Sequence, residues 1–497
     1  MGQIKEQTIK GSVYSYLGVL LGFAISGLLL PNLLTTGENG LIKLLIAYSA
    51  LFAQFATLGF LHPASRLFSY FRDPKTNHHG FVGLTLLVLL AGFVLSMVAF
   101  LLLKPNLIKN SIESSELFVN YIGFLIPLIF FSLLYLMLDT YFKMLFKTII
   151  GTFVKEFLLR ILILISILLF YLNILSFNEF IIAYVAANCM PGLILLAALF
   201  FSEKVNLKPD WKFIDRNLSK SLITMSIYGL LLGFSGIMIL NIDSIMISRM
   251  VGIEATGVYA ITFFFGSLII IPSRSLRKIA GTILADSWRD NDLKTIASVY
   301  QKSSINQLII GTLIFIGLWG NIHNVFEILP AEYKAGMYVI FFIALTNLVE
   351  MTSGVSDILI LTSKNYRVGA LLNFVFLLMI FIFNYLFIKA FGLVGAAAAN
   401  TLAFTINSIL RYLYIYKRFG MHPFSIQHLY TVVIGVVVYG IFVFFPVLPN
   451  FIFDIIVRSS LITMIFIIPV YYFKLSPEIN QSIDGFLRLV ETKLKSK

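Results

Sequence analysis

The chain alternates long apolar runs with short polar breaks, and that rhythm restricts it to a membrane. A helix needs roughly 20 mostly apolar residues to cross a hydrocarbon core about 30 Å thick. Runs of that kind lie near 11–34, 41–61, 81–103, 118–138, 151–172 and 177–201, then near 220–242, 257–279, 303–325, 336–361, 368–390, 394–416, 430–445 and 453–473. Fourteen crossings use about 280 residues of the 497 present. What remains is scattered among the breaks, leaving no room for a soluble domain of the usual size. Charged residues make up 12% of the chain, against about 25% in an ordinary soluble domain. The expected fold is therefore an all-α polytopic membrane protein of about 14 transmembrane helices.

The few charges are sorted by side. With the N-terminus taken as cytoplasmic, 30 lysines and arginines fall on that side. Only Lys43, Lys104, Lys109, Arg249, Lys334, Lys389 and Arg458 fall on the other. The skew obeys the positive-inside rule and implies a multi-pass membrane protein with both termini cytoplasmic. The formal charge of +13 then belongs to topology and to anionic membrane lipids, and no nucleic-acid partner is expected. The polar N-terminal decapeptide runs into a full apolar stretch with no small-residue cleavage signal, which reads as a retained first crossing. The tail 474–497 sets Ile483, Phe486, Leu487 and Val490 among charges, the pattern of an amphipathic helix on the cytoplasmic membrane surface.

Several chemistries are excluded. A single cysteine, Cys189, rules out an intrachain disulfide and cysteine-based metal sites. The six histidines share no ligand spacing, so no metal site is expected. No Gly-x4-Gly-Lys-Ser/Thr loop is present to bind ATP.

Punctuation repeats between the halves. Gly37-Glu38-Asn39-Gly40-Leu41 after the first run is echoed by Gly252-Ile253-Glu254-Ala255-Thr256-Gly257-Val258 after the seventh. Ala186-Ala187-Asn188 is echoed by Ala398-Ala399-Asn400, and Pro63-Ala64-Ser65-Arg66 by Pro272-Ser273-Arg274. Echoes in the same order point to duplicated six-helix bundles, with a substrate expected between them. The expected organisation is an N-lobe 1–201, a cytoplasmic linker 202–219, a C-lobe 220–416 related to the first by a pseudo-twofold, a helix pair 417–473, and the tail.

At these motifs the chain resembles the multidrug/oligosaccharidyl-lipid/polysaccharide (MOP) flippase superfamily, in its polysaccharide-export branch of O-antigen (Wzx-type) transporters. The carriers are the Gly-Glu-Asn-Gly stretch, Asn241-Ile242-Asp243-Ser244-Ile245-Met246-Ile247-Ser248 with Gly252 and Gly257-Val258-Tyr259, and Phe391-Gly392-Leu393-Val394-Gly395-Ala396-Ala397. The resemblance implies a MATE-like fold, alternating access and movement of an undecaprenyl-pyrophosphate-linked oligosaccharide to the outer leaflet. Other polysaccharide-assembly proteins would be partners. Members of the lipid II flippase branch carry several cavity arginines, whereas this first run has none between Gly11 and Leu34.

Charges inside a crossing normally face a cavity or a partner, because hydrocarbon disfavours them. Glu350 and Asp357 lie in the tenth run, seven residues apart and so on one helical face. Glu350 is the candidate for a coupling proton or sodium ion, since neutralising a desolvated carboxylate can drive a conformational step. For Asp357 a bridge to Lys364 or Arg367 is expected. Arg66 and Arg274, echoed near the cytoplasmic ends of their runs, are the candidates for the pyrophosphate, because a guanidinium can hold two of its oxygens at once. Asp243 is expected to pair with Arg249 or close an outer gate, and Asn188 and Asn400 to hydrogen-bond between helices.

Two other functions fit less well. A multidrug and toxin exporter of the same fold normally has twelve crossings and acids deep in the first, which is acid-free here. A membrane polymerase or ligase needs catalytic residues facing a sizeable outer loop, and the outer loops are short. The expectation is a transporter and not an enzyme.

Overall fold

The computed structural model describes residues 2–109, 116–202 and 206–495, and every regular element among them is helical. Twelve of the described helices are long and apolar enough to cross a membrane. Two more crossings are disguised by irregular backbone, which brings the described total to the expected fourteen. The chain forms two compact units, Met1–Ile261 and Thr262–Lys497.

The first unit contains α1 (Val13–Leu33), α2 (Thr36–Ala56), α3 (His78–Ile108), α4 (Glu116–Met144), α5, α6 (Phe177–Phe201) and α7 (Arg216–Met250). The disguised crossing here is α5, built from Thr148–Thr152, a π-helical turn at Phe153–Leu158, and Leu159–Tyr171. Apolar residues surround α3 on every side, and Leu90, Val94, Leu101 and Leu102 stay exposed, as a lipid-facing helix requires. By contrast α2 is the centre of the unit, packing on α3, α4 and α7. It buries Leu41, Leu44, Leu45, Ala47 and Ala53 almost completely.

The Gly37-Glu38-Asn39-Gly40 stretch, read as punctuation after the first run, forms the first turn of α2. Thr35 and Glu38 form a reciprocal cap: the Thr35 backbone N–H donates to Glu38 Oε2 at 2.8 Å and the Glu38 N–H to Thr35 Oγ1 at 3.3 Å. Asn39 Nδ2 donates to the carbonyls of Leu30, Leu34 and Thr35, tying the end of α1 to the start of α2. The glycines allow close approach. A Cβ on Gly40 would stand 2.1 Å from the Ile253 carbonyl oxygen, and one on Gly257 would stand 1.8 Å from that of Thr36. The two echoed motifs thus pack on each other.

A single helix, α8 (Ile253–Arg289), carries the chain into the second unit. It bends at a 3-10 turn, Leu268–Ile270, and continues well past its expected end near 279. The boundary between units falls beyond the 202–219 linker, because α7 packs along α2 and the short helix Leu61–Phe71.

In the second unit follow α9 (Leu293–Gly320) and α10 (Ala331–Thr352). The 54-residue helix Tyr366–Phe419 is two crossings, α11 and α12, meeting at Gly392, whose φ of 59° and ψ of −139° break the helix. Then come α13 (Ile426–Val443) and α14 (Phe451–Tyr472). The fully buried Asp454 of α14 accepts from Arg458, His323 and Asn324, and Arg458 also donates to the Phe442 and Pro446 carbonyls. The pair therefore ties α14 to the ends of α13 and α9. The tail forms a helix, Pro477–Lys495, pinned at its start by Glu478 to Lys302 at 2.7 Å. The side chains of Phe486 and Val490 lie outside the described residues.

Gly392 occupies backbone space that only glycine enters freely, yet nothing lies within 4 Å of a Cβ built there. Gly392→Ala should therefore cost about 1–3 kcal/mol through the backbone alone. Gly485→Ala in the tail helix should be neutral or slightly stabilising. Thermal unfolding in detergent compares the two.

Candidate functional site

The second unit gathers four charges from four segments. Arg277 projects from α8 beyond its 3-10 turn, Glu350 from the last turns of α10, Asp357 from the short helix Ser356–Thr362, and Arg411 from α12. The chain between Glu350 and Asp357 is not continuous helix. Gly354 has a φ of +61°, and a Cβ there would stand 2.7 Å from Ser303 Oγ. Seven residues of straight helix would separate the carboxylates by about 10 Å along the axis. The break lets both reach the same guanidinium.

Arg277 uses its two terminal nitrogens separately. Nη1 donates to Glu350 Oε1 at 3.2 Å and Nη2 to Asp357 Oδ2. Arg411 Nη1 lies 3.5 Å from the other Glu350 oxygen, Oε2. The side chains are 9–23% exposed, and two cations face two anions, so the group is neutral as a whole. Buried charges of this kind persist only when matched.

Matching is incomplete at the edges. Asp357 Oδ1, Ser356 Oγ and Gln307 Nε2 are buried without a hydrogen-bond partner among the described residues, although Gln307 Oε1 accepts from Ser273 Oγ at 2.6 Å. Asn407, one turn before Arg411 and 1% exposed, has neither amide atom bonded. Buried polar atoms normally find partners, so these atoms can take up water, a proton or an ion.

The two carboxylates read from the sequence are thus brought together, with partners the sequence did not indicate. Asp357, for which a bridge to Lys364 or Arg367 was expected, meets Arg277, because its helix starts after the break at Gly354. Glu350 is held by two guanidiniums and is not an isolated carboxylate. Any ion or proton acting there must compete with Arg277 and Arg411. Arg277 lies three residues past Arg274, hence one turn along the same helix. Its signal was a second arginine inside the expected run 257–279, close enough to its end to read as an interface anchor.

Arg274 is exposed and makes no ion pair among the described residues. The same holds for Arg66, on the helix Leu61–Phe71 that follows a left-handed turn at Leu58 and Gly59. Asp243 is 4% exposed and accepts from the Tyr259 hydroxyl at 2.8 Å, which joins α7 to α8 through two residues of the distinctive motif. Arg249 hydrogen-bonds to Tyr48. Asn188 Nδ2 donates to the Tyr184 carbonyl of its own helix at 2.9 Å, where a bond between helices was expected. Asn400 is buried among Ala396, Ala397 and Ala399 of α12. No group of three or more His, Cys, Asp or Glu able to hold a metal occurs among the described residues.

The helices and the charges they pair define a polytopic α-helical membrane protein. Its fold has solved counterparts. The chain is similar to the lipid II flippase MurJ in an inward closed conformation, over 94% of this chain and 98% of that one, at 14% identity and a TM-score of 0.71. It is similar to a multidrug resistance MATE family transporter of the MOP superfamily in its inward-facing form (82% and 94% covered, 14% identity, TM-score 0.64) and in an outward-facing form (84% and 96%, 14%, 0.54). No family model matches the chain, and no curated protein matches it by sequence. The chain has the MurJ and MATE fold.

Arg277→Met leaves two buried carboxylates with one partial partner, and it should destabilise the protein by about 3–5 kcal/mol. The exposed, unpaired Arg274→Met should stay within about 0.5 kcal/mol of the parent. Denaturation in the same detergent measures both.

Proposed function

We propose that the chain is a membrane transporter that flips an undecaprenyl-pyrophosphate-linked oligosaccharide from the cytoplasmic to the outer leaflet of a bacterial plasma membrane, by alternating access, for cell-surface polysaccharide assembly. The observation that carries this reading is the extent of the structural likeness. The 6% of the chain outside the match to the lipid II flippase is shorter than α13 and α14 together, so the likeness reaches into that pair. The matches to the MATE transporter leave enough unmatched chain to omit it. The acid-free first crossing also fits an anionic cargo better than an organic cation.

In this reading Arg66 and Arg274, exposed and without ion pairs, receive the pyrophosphate as the lipid-linked oligosaccharide enters from the inner leaflet. Glu350 and Asp357 are the ion-coupling pair. A proton or sodium ion that neutralises them frees Arg277 and Arg411, so the ion and the conformation become linked. Asp243, bonded to Tyr259, takes a structural or outer-gate role, and Asn188 and Asn400 take structural ones. Surrounding membrane lipids and other polysaccharide-assembly proteins are the partners, and no covalent bond is made or broken.

Expression in cells that lack their own O-unit flippase tests this. Surface polysaccharide should return, and Glu350→Gln and Arg274→Ala should each reduce it strongly at equal protein level. Raised drug tolerance without polysaccharide would replace the reading with cation export. Full restoration by both variants would remove the site assignment and leave the transporter.

A further inference from the structure

The helix pair α13 and α14 stands outside the repeat, yet a path of hydrogen bonds leads from it to the helix break beside Glu350. His428 lies in the first turn of α13 and is 7% exposed. The Ser425 backbone N–H donates to its Nδ1 at 3.1 Å, the arm of a capping box, and Ser425 Oγ lies 3.0 Å from the same nitrogen. On the other side of the ring, Nε2 lies 3.0 Å from Ser304 Oγ of α9. Ser304 is fully buried and donates in turn to the Thr352 carbonyl at 2.6 Å. Thr352 ends α10, midway between Glu350 and Gly354.

The protons on this path are fixed by its partners. A backbone N–H can only donate, so Nδ1 presents its lone pair and the ring proton sits on Nε2. Nε2–H therefore donates to Ser304 Oγ, and the serine proton goes to Thr352. That carbonyl needs it, because the last carbonyls of a helix have no partner within the helix. The end of α10 also rests directly on α9: a Cβ on Gly354 would stand 2.7 Å from Ser303 Oγ and 3.0 Å from the Ser304 backbone nitrogen. Both α13 and α10 pack on α9, and a cavity of about 610 Å³, walled by His428, Thr352 and Ser353 among others, lies beside the path. The other titratable groups on its wall are Tyr300 and Tyr412. With open space beside it, the link from α13 to α10 runs here through directed bonds.

We propose that His428 is a positioning residue: through Ser304 it holds the broken end of α10, and with it the spacing at which Glu350 and Asp357 both reach Arg277. Its consequence for coupling rests on the transport reading above. Straight helix would set the two carboxylates about 10 Å apart along the axis, so what fixes the break also fixes the site. The two ring nitrogens divide the task, Nδ1 capping α13 and Nε2 serving the break. Movement at the end of α10, when the carboxylates are neutralised, then reaches the added helix pair along the same bonds.

Nitrogen NMR of the full-length protein with isotope-labelled histidine, in detergent, reads the path. His428→Gln removes and so identifies the His428 resonances, which should report a neutral ring protonated on Nε2. Asp357→Asn and Glu350→Gln should each shift them, while Arg274→Met leaves them in place. A histidine that only caps its own helix would keep its signals in all three, so unshifted resonances in the acid variants that fold overturn the proposal, as does a ring protonated on Nδ1. Isosteres separate the nitrogens in the polysaccharide assay. Gln places an amide nitrogen near Nε2 and keeps the donor to Ser304, whereas Asn places an oxygen near Nδ1 and keeps only the cap. His428→Gln should stay within about threefold of the parent, and His428→Asn and Ser304→Ala should each lose about tenfold at equal protein level, the worth of one hydrogen bond. Equal loss in the Gln and Asn variants overturns the proposal and assigns His428 to folding. Full restoration by His428→Asn and Ser304→Ala overturns it and leaves the transport reading. If the parent restores none, the transport reading fails, and the NMR comparison still decides His428.

Discussion

Everything in this structure depends on the need of each backbone N–H and C=O to find a partner where there is no water. Continuous helix meets that need, and most of the described chain is helix. The informative places are the exceptions. The π turn of α5 carries Lys155 and Glu156. The 3-10 turn of α8 precedes Arg274 and Arg277, the break at Gly354 separates Glu350 from Asp357, and the turn at Leu58 and Gly59 precedes Arg66. Each of these four irregularities lies near a charge. A regular helix distributes side chains at fixed angles, and bringing charges from several helices to one point requires departures from that pattern.

The second constraint is charge matching. Several ionisable groups in each unit occur as compensated sets: Arg277 and Arg411 with Glu350 and Asp357, Arg458 with Asp454, Arg160 with Glu156, Lys143 with Asp139. Not all of these sets serve one purpose. Asp454 accepts five hydrogen bonds and fixes the ends of three helices. The Arg277 set is less complete, with Asp357 Oδ1 and the amide of Asn407 unanswered. Full satisfaction suits a structural tie, and partial satisfaction suits a group that exchanges partners during a cycle.

Much of the fold was legible in the sequence because its signal is additive. Fourteen apolar runs and the lysine and arginine skew each sum over many residues, so an error of several positions at one boundary changes little. The candidate site was legible only in part, for the opposite reason. Glu350 and Asp357 stood out as acids within an apolar run. Arg277 and Arg411 did not, because cations near the ends of runs are common anchors. Asp139 fell just past the expected end of its run at 138, and the pairing of Asp357 was sought locally when its partner lies 80 residues away in the chain. The glycines of Gly37-Glu38-Asn39-Gly40 and Gly257 were recognisable as a motif before their purpose was. They meet each other, at a distance no Cβ would tolerate.

By itself, the sequence determined the solvent, the helical class, the number of crossings and the short roster of acids that hydrocarbon would not ordinarily admit. These follow from transfer free energies, which depend on composition along the chain and not on what lies opposite. Only the tertiary structure decided which cation answers which acid. Coulomb interaction falls off with separation and a hydrogen bond requires contact. Helix packing, and the breaks at Gly354, Leu268–Ile270 and Phe153–Leu158, bring particular charges within that reach.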